Sequence, residues 1–235
     1  MTGSGEKVLS IVIPAYNEER FIGTLLGQIA AVDLAPLGVR TQVIVVDDHS
    51  ADRTSAIASG FPGVVLRRLE RNSGKGRAVR EGIGLATGDF LIIQDADLEY
   101  DPQDYVPMLD ALLSGRGDIV YGSRYMRAGR HANQTLAAYL GGRSLSLVAR
   151  MFTGVWITDT VTALKLFPKE VITDLALETS GFELDHEITA KVLARGLRIV
   201  EVPVSYNPRS REEGKKIGMR DWFIATRTFA RFRNG

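Results

Sequence analysis

The sequence predicts an α/β fold, a mostly parallel sheet flanked by helices within a single domain of 235 residues. Three observations predict it. Short apolar, β-branched runs alternate with stretches of helical periodicity. Those runs are nearly continuous, the pattern of strands buried on both faces. Composition is that of a globular chain, 45% hydrophobic and 24% charged.

The elements follow in order. Residues 9–13 (LSIVI) form a first strand stopped by Pro14. Residues 20–32 carry Phe21, Leu25, Ile29 and Val32 on one helical face. Residues 41–46 are a second buried strand ending in Asp47-Asp48, and Ser50 is the expected cap of a helix through Ser59. A strand at 64–69, a helix at 75–86 and a strand at 90–94 follow, the last running into Asp95-Ala96-Asp97. Pro102 opens a helix as a first-turn proline. Residues 118–121 are a strand closed by Gly122. The second half is less regular: helices at 136–152, 183–194 and 221–232, strands at 161–166 and 197–204.

Several function classes fall away. Lys plus Arg number 29 against 28 for Asp plus Glu, a net charge of +1, so there is no electrostatic footprint for nucleic acid. With no cysteine, disulfides, zinc–thiolate sites and cysteine nucleophiles are excluded, and a reducing compartment is compatible. No apolar run reaches the roughly 18 residues of a membrane span. The opening MTGSGEKVLS lacks an apolar h-region, which predicts no signal peptide. Any membrane contact is expected to be peripheral. His49, His131 and His186 share no ligand spacing and are expected as surface or cap residues. No G-x-G-x-x-G follows the first strand, which argues against a dinucleotide-binding dehydrogenase.

Ligands of parallel sheets bind beyond the carboxyl ends of the strands. Here those ends carry Pro14-Ala15-Tyr16-Asn17-Glu18, Asp47-Asp48-His49 and Asp95-Ala96-Asp97-Leu98-Glu99. Asp95 and Asp97 offer hard oxygens suited to Mg²⁺ or Mn²⁺, with Glu99 as a third; an isolated D-x-D is equally the sequence of a solvated acidic turn. Asp47 is placed to accept from a ribose or base, though paired acids are also common turn residues. Tyr16 can wall a nucleobase, or 14–18 is a plain strand–turn–helix junction. Asn72-Ser73-Gly74-Lys75-Gly76 can offer amides and a lysine to an anion, or is a glycine turn; it is not a Walker A loop.

The strings IVIPAYNEE, VVDDHSADRT, NSGKGRAVREG, GDFLIIQDADLEYDP and YGSR, in this order, resemble a family 2 inverting glycosyltransferase. Within it they are similar to the dolichyl-phosphate (polyprenyl-phosphate) mannose and glucose synthases. The resemblance is strong over 9–124 and weaker to about 217. It implies a GT-A, Rossmann-like fold with a nucleotide-sugar half at 9–124, an acceptor-side half at 125–218 and a C-terminal amphipathic helix at 219–233. It implies a nucleotide-diphosphate sugar donor of GDP-mannose or UDP-glucose type and a divalent metal. Pro14, Tyr16, Glu18, Asp47, Lys75, Asp95, Ala96 and Asp97 fall where the family holds the nucleotide sugar. Asp95, Asp97 and Glu99 match the metal site, where the mannose synthases often have Gln in place of Glu99. Arg124 matches a residue meeting the acceptor phosphate, and Asp97, Arg124 and Asp159 are the catalytic candidates. Asp159 aligns with the first residue of a D-x-x-S-G-F motif whose Ser-Gly is Thr-Ala here, and is alternatively a cap. Arg211 to Lys216 stands where the family has R-x-x-G-x-S-K, without the serine.

A lipid phosphate, ionised near neutral pH, needs placement more than a general base. Arg124 is the first candidate to hold it, then Arg130, Arg143, Arg211 and Lys216. A polyprenyl-phosphate acceptor requires a membrane-facing surface. Leu136, Tyr139, Leu140, Leu147, Val148, Met151, Phe152 and Trp156 supply one candidate. Trp222, Phe223, Phe229 and Phe232, interleaved with Arg220, Arg227, Arg231 and Arg233, supply another, or pack on the core. The expected setting is the cytoplasmic face of a membrane, with a separate membrane-anchoring partner protein possible. The other functions weighed are a GT-A transferase acting on a soluble or glycan acceptor and a non-catalytic nucleotide-sugar-binding module.

Overall fold

A computed structural model describes residues 6–126, 136–208 and 219–234. Among these, seven strands form one sheet in the order β3-β2-β1-β4-β6-β5-β7. In chain order they are β1 (Lys7–Ala15), β2 (Val39–Asp47), β3 (Val64–Arg68), β4 (Phe90–Ile93), β5 (Ile119–Ser123), β6 (Lys165–Pro168) and β7 (Ile199–Pro203). The helices are α1 (Ile22–Ala30), α2 (Thr54–Ser59), α3 (Lys75–Leu85), α4 (Tyr105–Leu113), α5 (Leu136–Thr153), α6 (Lys169–Asp174), α7 (Leu184–Ala194) and α8 (Met219–Phe232).

Strand β1 is the hub. It pairs in parallel with β2 from Lys7↔Val39 to Ala15↔Asp47, and with β4 from Leu9↔Phe90 to Val12↔Ile93. This register sets Ala15 level with Asp47 and puts the ends of β1, β2 and β4 on one edge. The two-residue period of the strands then sorts side chains between two cores. Leu9, Ile11, Ile13, Phe90 and Ile92 join α1 and α4 on one face. Val12, Leu91 and Ile93 join α3, α6 and α7 on the other.

The sheet is mostly parallel, as expected, with one reversal. Strand β6 lies antiparallel between β4 and β5. It begins at Lys165, four residues later than the strand expected at 161–166, because Thr160 and Thr162 belong to a buried loop. Ser50 does not cap α2, which starts at Thr54; its hydroxyl instead accepts from the Asn17 amide at 2.9 Å. Helix α5 runs unbroken through Gly141-Gly142, where the missing side chain of Gly142 admits the Tyr125 hydroxyl. The short α6 was not anticipated from periodicity.

A third core joins α5, α7 and α8 through Leu145, Val148, Ala149, Ala190, Ala225, Phe229 and Phe232. Thus two of the four terminal aromatics pack inward, while Phe223 (69% exposed) and Trp222 face out. His186 is a correction: it is buried, its ring 5.4 Å from that of Phe229. Leu136, Leu140, Leu147 and Met151 form an exposed apolar stripe along α5, Met151 being 76% exposed. Among the described residues no helix is long and apolar enough to cross a membrane.

Candidate active site

The loops after β1 and β2 are tied to each other. Beyond the Asn17–Ser50 bond, the Ala51 amide donates to Asn17 Oδ1 at 2.9 Å, the Glu18 amide to Thr54 Oγ1 at 2.8 Å and the Glu19 amide to Asp52 at 3.0 Å. Asn17 and His49 adopt left-handed backbone conformations, with φ of 55° and 66°, as does Leu98 (φ 60°) inside the D-x-D turn. Each of the three loops of this sheet edge thus turns on a non-glycine residue at positive φ, of which Leu98 is the least ordinary. Tyr16 projects from this rim, half exposed, as a wall for a planar base requires; Pro14 lies just behind it at the end of β1.

The two acids at the end of β2 turn inward. Asp47 is fully buried and accepts from the Ser50 amide at 2.9 Å and from the Ser55 hydroxyl, with Arg68 at 3.6 Å. In this arrangement its carboxylate shapes the loop, where the sequence reading had it accept from a ribose or base. Asp48 accepts from the amides of Ser73 and Gly74, each at 2.7 Å, and so anchors the NSGKG loop. Gly74 has φ 92°, and a Cβ there would stand 2.5 Å from the Ser180 carbonyl; one on Gly76 would stand 2.7 Å from that of Thr179. Both glycines are needed for this approach of loop to loop.

The D-x-D turn is supported from beneath. Buried Gln94 donates to the Asp95 carbonyl at 2.9 Å and accepts from the Tyr105 hydroxyl at 2.8 Å. Ala96 is buried, and Asp95 and Asp97 on either side of it are partly exposed. Lys75, the first residue of α3, reaches Asp95 Oδ1 at 2.8 Å and lies 3.8 Å from Asp185 Oδ2. Burial pushes the Asp95 carboxyl above its ordinary range; Lys75 opposes this and Asp97 adds to it. The opposed charges of Asp95 and Asp185 outweigh burial at Lys75 and hold its ammonium firmly protonated.

Glu99 is drawn aside. It accepts from the Tyr206 hydroxyl at 3.0 Å, and its carbonyl accepts from the Asn207 amide. Among the described residues no three His, Cys, Asp or Glu side chains converge on one cation position. Asp95 and Asp97, two hard-oxygen donors on one turn, still fit a Mg²⁺- or Mn²⁺-type ion that completes its shell from substrate phosphates. Glu99 does not join them.

Arg124 is locked to Asp159 by two parallel bonds, Nε to Oδ2 at 2.6 Å and Nη2 to Oδ1 at 2.7 Å, and its own amide also donates to Oδ2. Glu201 props the same corner, accepting from Thr158 (amide and hydroxyl, 2.7 Å each) and from the Asp159 amide. Tyr206, Tyr125 and Tyr100 ring the guanidinium at 5.1, 5.6 and 6.0 Å. Arg143 stands beside it, over Tyr125 at 5.7 Å and Trp156 at 5.0 Å. The other acceptor-side candidates, Arg130, Arg211 and Lys216, lie outside the described residues.

Three residues were missed by the sequence reading. Asp185 is bridged to fully buried Lys165 at 2.5 Å. Glu187 accepts from the amides of Glu178 and Thr179 and holds the 178–180 loop against the glycines of α3. The signal was the run Glu183-Leu184-Asp185-His186-Glu187. Acids alternate there at the start of a helix whose residues from Leu184 to Val192 are all buried, which solvation does not explain.

This topology and strand-end cluster define a GT-A glycosyltransferase fold. Residues 10–172 match the family model of glycosyl transferase family 2, and the chain belongs to that family. It is 32% identical over 216 residues to a dolichol-phosphate mannosyltransferase of Pyrococcus furiosus, covering 89% of this chain but 59% of that protein's length. It is 27% identical to the low-salt glycan biosynthesis hexosyltransferase Agl6 of Haloferax volcanii, over 87% of this chain and 49% of that one. Among solved structures, glucosyl-3-phosphoglycerate synthase from Mycobacterium tuberculosis with Mn²⁺, UDP-glucose and phosphoglyceric acid superimposes with a TM-score of 0.71. The two are 21% identical, over 95% of this chain and 80% of that one. S. aureus TarS in complex with UDP gives 0.66 at 21% identity, over 94% and 64% of the chains.

Proposed function

We propose that the protein transfers a hexose, with inversion, from a nucleotide-diphosphate sugar to a polyprenyl phosphate at a membrane surface. The observation that carries this reading is the joining of two surfaces. The Tyr16, Lys75, Asp95 and Asp97 edge offers a base wall, a cation and hard oxygens. The acceptor half presents Arg124 and Arg143 beside the exposed apolar stripe of α5. The Pyrococcus relative's name supports the same acceptor.

The residues divide the work. Tyr16 stacks on the base. Lys75 faces the diphosphate and its charge stabilises the one that group gains on leaving. Asp95 and Asp97 would hold the divalent cation, whose contribution is neutralisation of that diphosphate. Arg143 orients the acceptor phosphate, and the Asp159 pair fixes the plane of the neighbouring Arg124 guanidinium, whose charge adds to the pull on that phosphate. The α5 stripe buries against acyl chains and brings the headgroup to the arginines.

The test is a matrix of labelled GDP-mannose, UDP-glucose and other UDP-sugars, each with Mn²⁺ or Mg²⁺, with and without a polyprenyl phosphate. The expected result is label in an organic-extractable product with one donor. Turnover only with a soluble phosphorylated or glycan acceptor overturns the lipid assignment. Absence of any donor binding overturns the donor assignment.

A further inference from the structure

We propose that Lys75 is a two-position switch whose second berth is Asp185. The lysine sits on Asp95 in the arrangement described, and Asp185 retains it when a divalent cation with its nucleoside diphosphate takes Asp95. The inference rests on the donor-site reading above and extends it to residues that touch no substrate.

The geometry sets up a competition for one oxygen. The Lys75 ammonium is 2.8 Å from Asp95 Oδ1. A hard dication ligated by that carboxylate would repel a second cation bonded to the same atom. The ammonium must move, and Asp185 is where it can go. Asp185 Oδ2 lies 3.8 Å away, beyond hydrogen-bond range, so a shift of about 1 Å exchanges one partner for the other. The backbone need not follow. Asp48 fixes the Gly74 amide, and the Arg77 backbone amide donates to the Ser180 carbonyl at 3.1 Å. The Phe182 ring, 5.8 Å from the ammonium, flanks it without demanding a hydrogen bond.

Asp185 is built to wait. Its other oxygen is held by Lys165 at 2.5 Å, and the same Lys165 ammonium donates to the Thr162 carbonyl. Lys165 is fully buried and reaches no ligand, so its charge serves to fix Asp185 as a carboxylate in place. The four groups Asp95, Lys75, Asp185 and Lys165 are charge-neutral together. Moving the lysine between its two acids therefore leaves the local balance unchanged while clearing Asp95. Asp185 and Lys165 are positioning residues acting through Lys75.

The test uses Mn²⁺ as probe, followed by the EPR signal of the free ion, first alone and then with UDP or GDP. Two variants are compared with wild type: Lys75→Met, and the double variant Asp185→Asn/Lys165→Met, which removes the buried pair together and leaves no lone charge. The switch predicts opposite signs for Mn²⁺ alone. Lys75→Met binds it about tenfold tighter, because the competitor is gone, and the double variant binds it several-fold weaker, because the displaced lysine has no berth. A merely structural role weakens both. Wild-type binding with both variants unchanged, or shifted the same way, overturns the switch and leaves the donor site standing. Should the double variant not fold, Lys75→Met decides alone, and unchanged or weaker Mn²⁺ binding overturns the switch. Wild-type binding of neither Mn²⁺ nor nucleotide overturns the donor reading and the switch with it.

Discussion

Asp159 accepts three bonds from Arg124 and is fully buried, so the pair cannot be judged like a surface ion pair. Removing one member of a buried pair strands the other's charge and typically costs about 3–5 kcal/mol. Arg124→Met is therefore expected to lower unfolding free energy by about that amount, read as a fall in the urea midpoint; a change near zero would show that the pair is not formed. Sequence alone left Arg124 between acceptor clamp and salt bridge, and the geometry shows the salt bridge, with three tyrosines packed around the guanidinium. Asp47 teaches the opposite lesson. Its position at the end of β2 was legible, but whether its carboxylate faces a ligand or its own loop depends on Ser50, Ser55 and Arg68, and no spacing rule reports that.

At the scale of elements, α5 holds two jobs on two faces. Leu145, Val148 and Ala149 dock on α7 and α8, while Leu140, Leu147 and Met151 face outward. The double substitution Leu147→Glu/Met151→Glu should leave thermal stability within about 0.5 kcal/mol, since neither site is packed. It should lower co-sedimentation with anionic liposomes several-fold. Unchanged sedimentation removes α5 as the membrane face. The first half of the chain was readable element by element because its central strands β1 and β4 are buried on both sides and helices such as α1 and α3 are amphipathic. The stretch around β6 was not. Asp159 to Ala163 is a mostly buried turn rich in threonine, which imitates a strand in composition while its bonds go to Arg124, Glu201 and Tyr100. Asp185 and Lys165 escaped because their partnership spans two elements 20 residues apart in sequence.

For the molecule as a whole, pH acts through the interior. Burial holds His186 neutral and lowers its pKa from 6.5 to about 4, with Asp185 opposing that shift and Lys165 reinforcing it. The unfolded chain therefore binds more protons than the folded one between these values, and stability falls as pH drops through that window. The loss reaches about 3 kcal/mol at pH 4. Raised carboxyls at Asp95 and Glu201 act in the opposite direction. The informative quantity is thus the difference between wild type and His186→Met, measured by urea unfolding from pH 7 to 4. The variant should lack the His186 share of the slope, and identical slopes would show that His186 is already protonated or solvated in the fold.

The reversed strand β6 has a consequence for biosynthesis. Strand β4 is complete at Ile93, but its partner on one side is supplied by residues 165–168. During translation at about 5–20 residues per second, the ribosome needs roughly 4–15 s to add that partner. Throughout this interval the backbone of Phe90–Ile93 presents an unpaired apolar edge to other nascent chains. The half of the chain that carries β1 to β5, although contiguous, therefore leaves one edge of β4 without the partner it has in the intact sheet. A chain truncated after β5 would carry an open template for aggregation where the intact protein has its sheet interior.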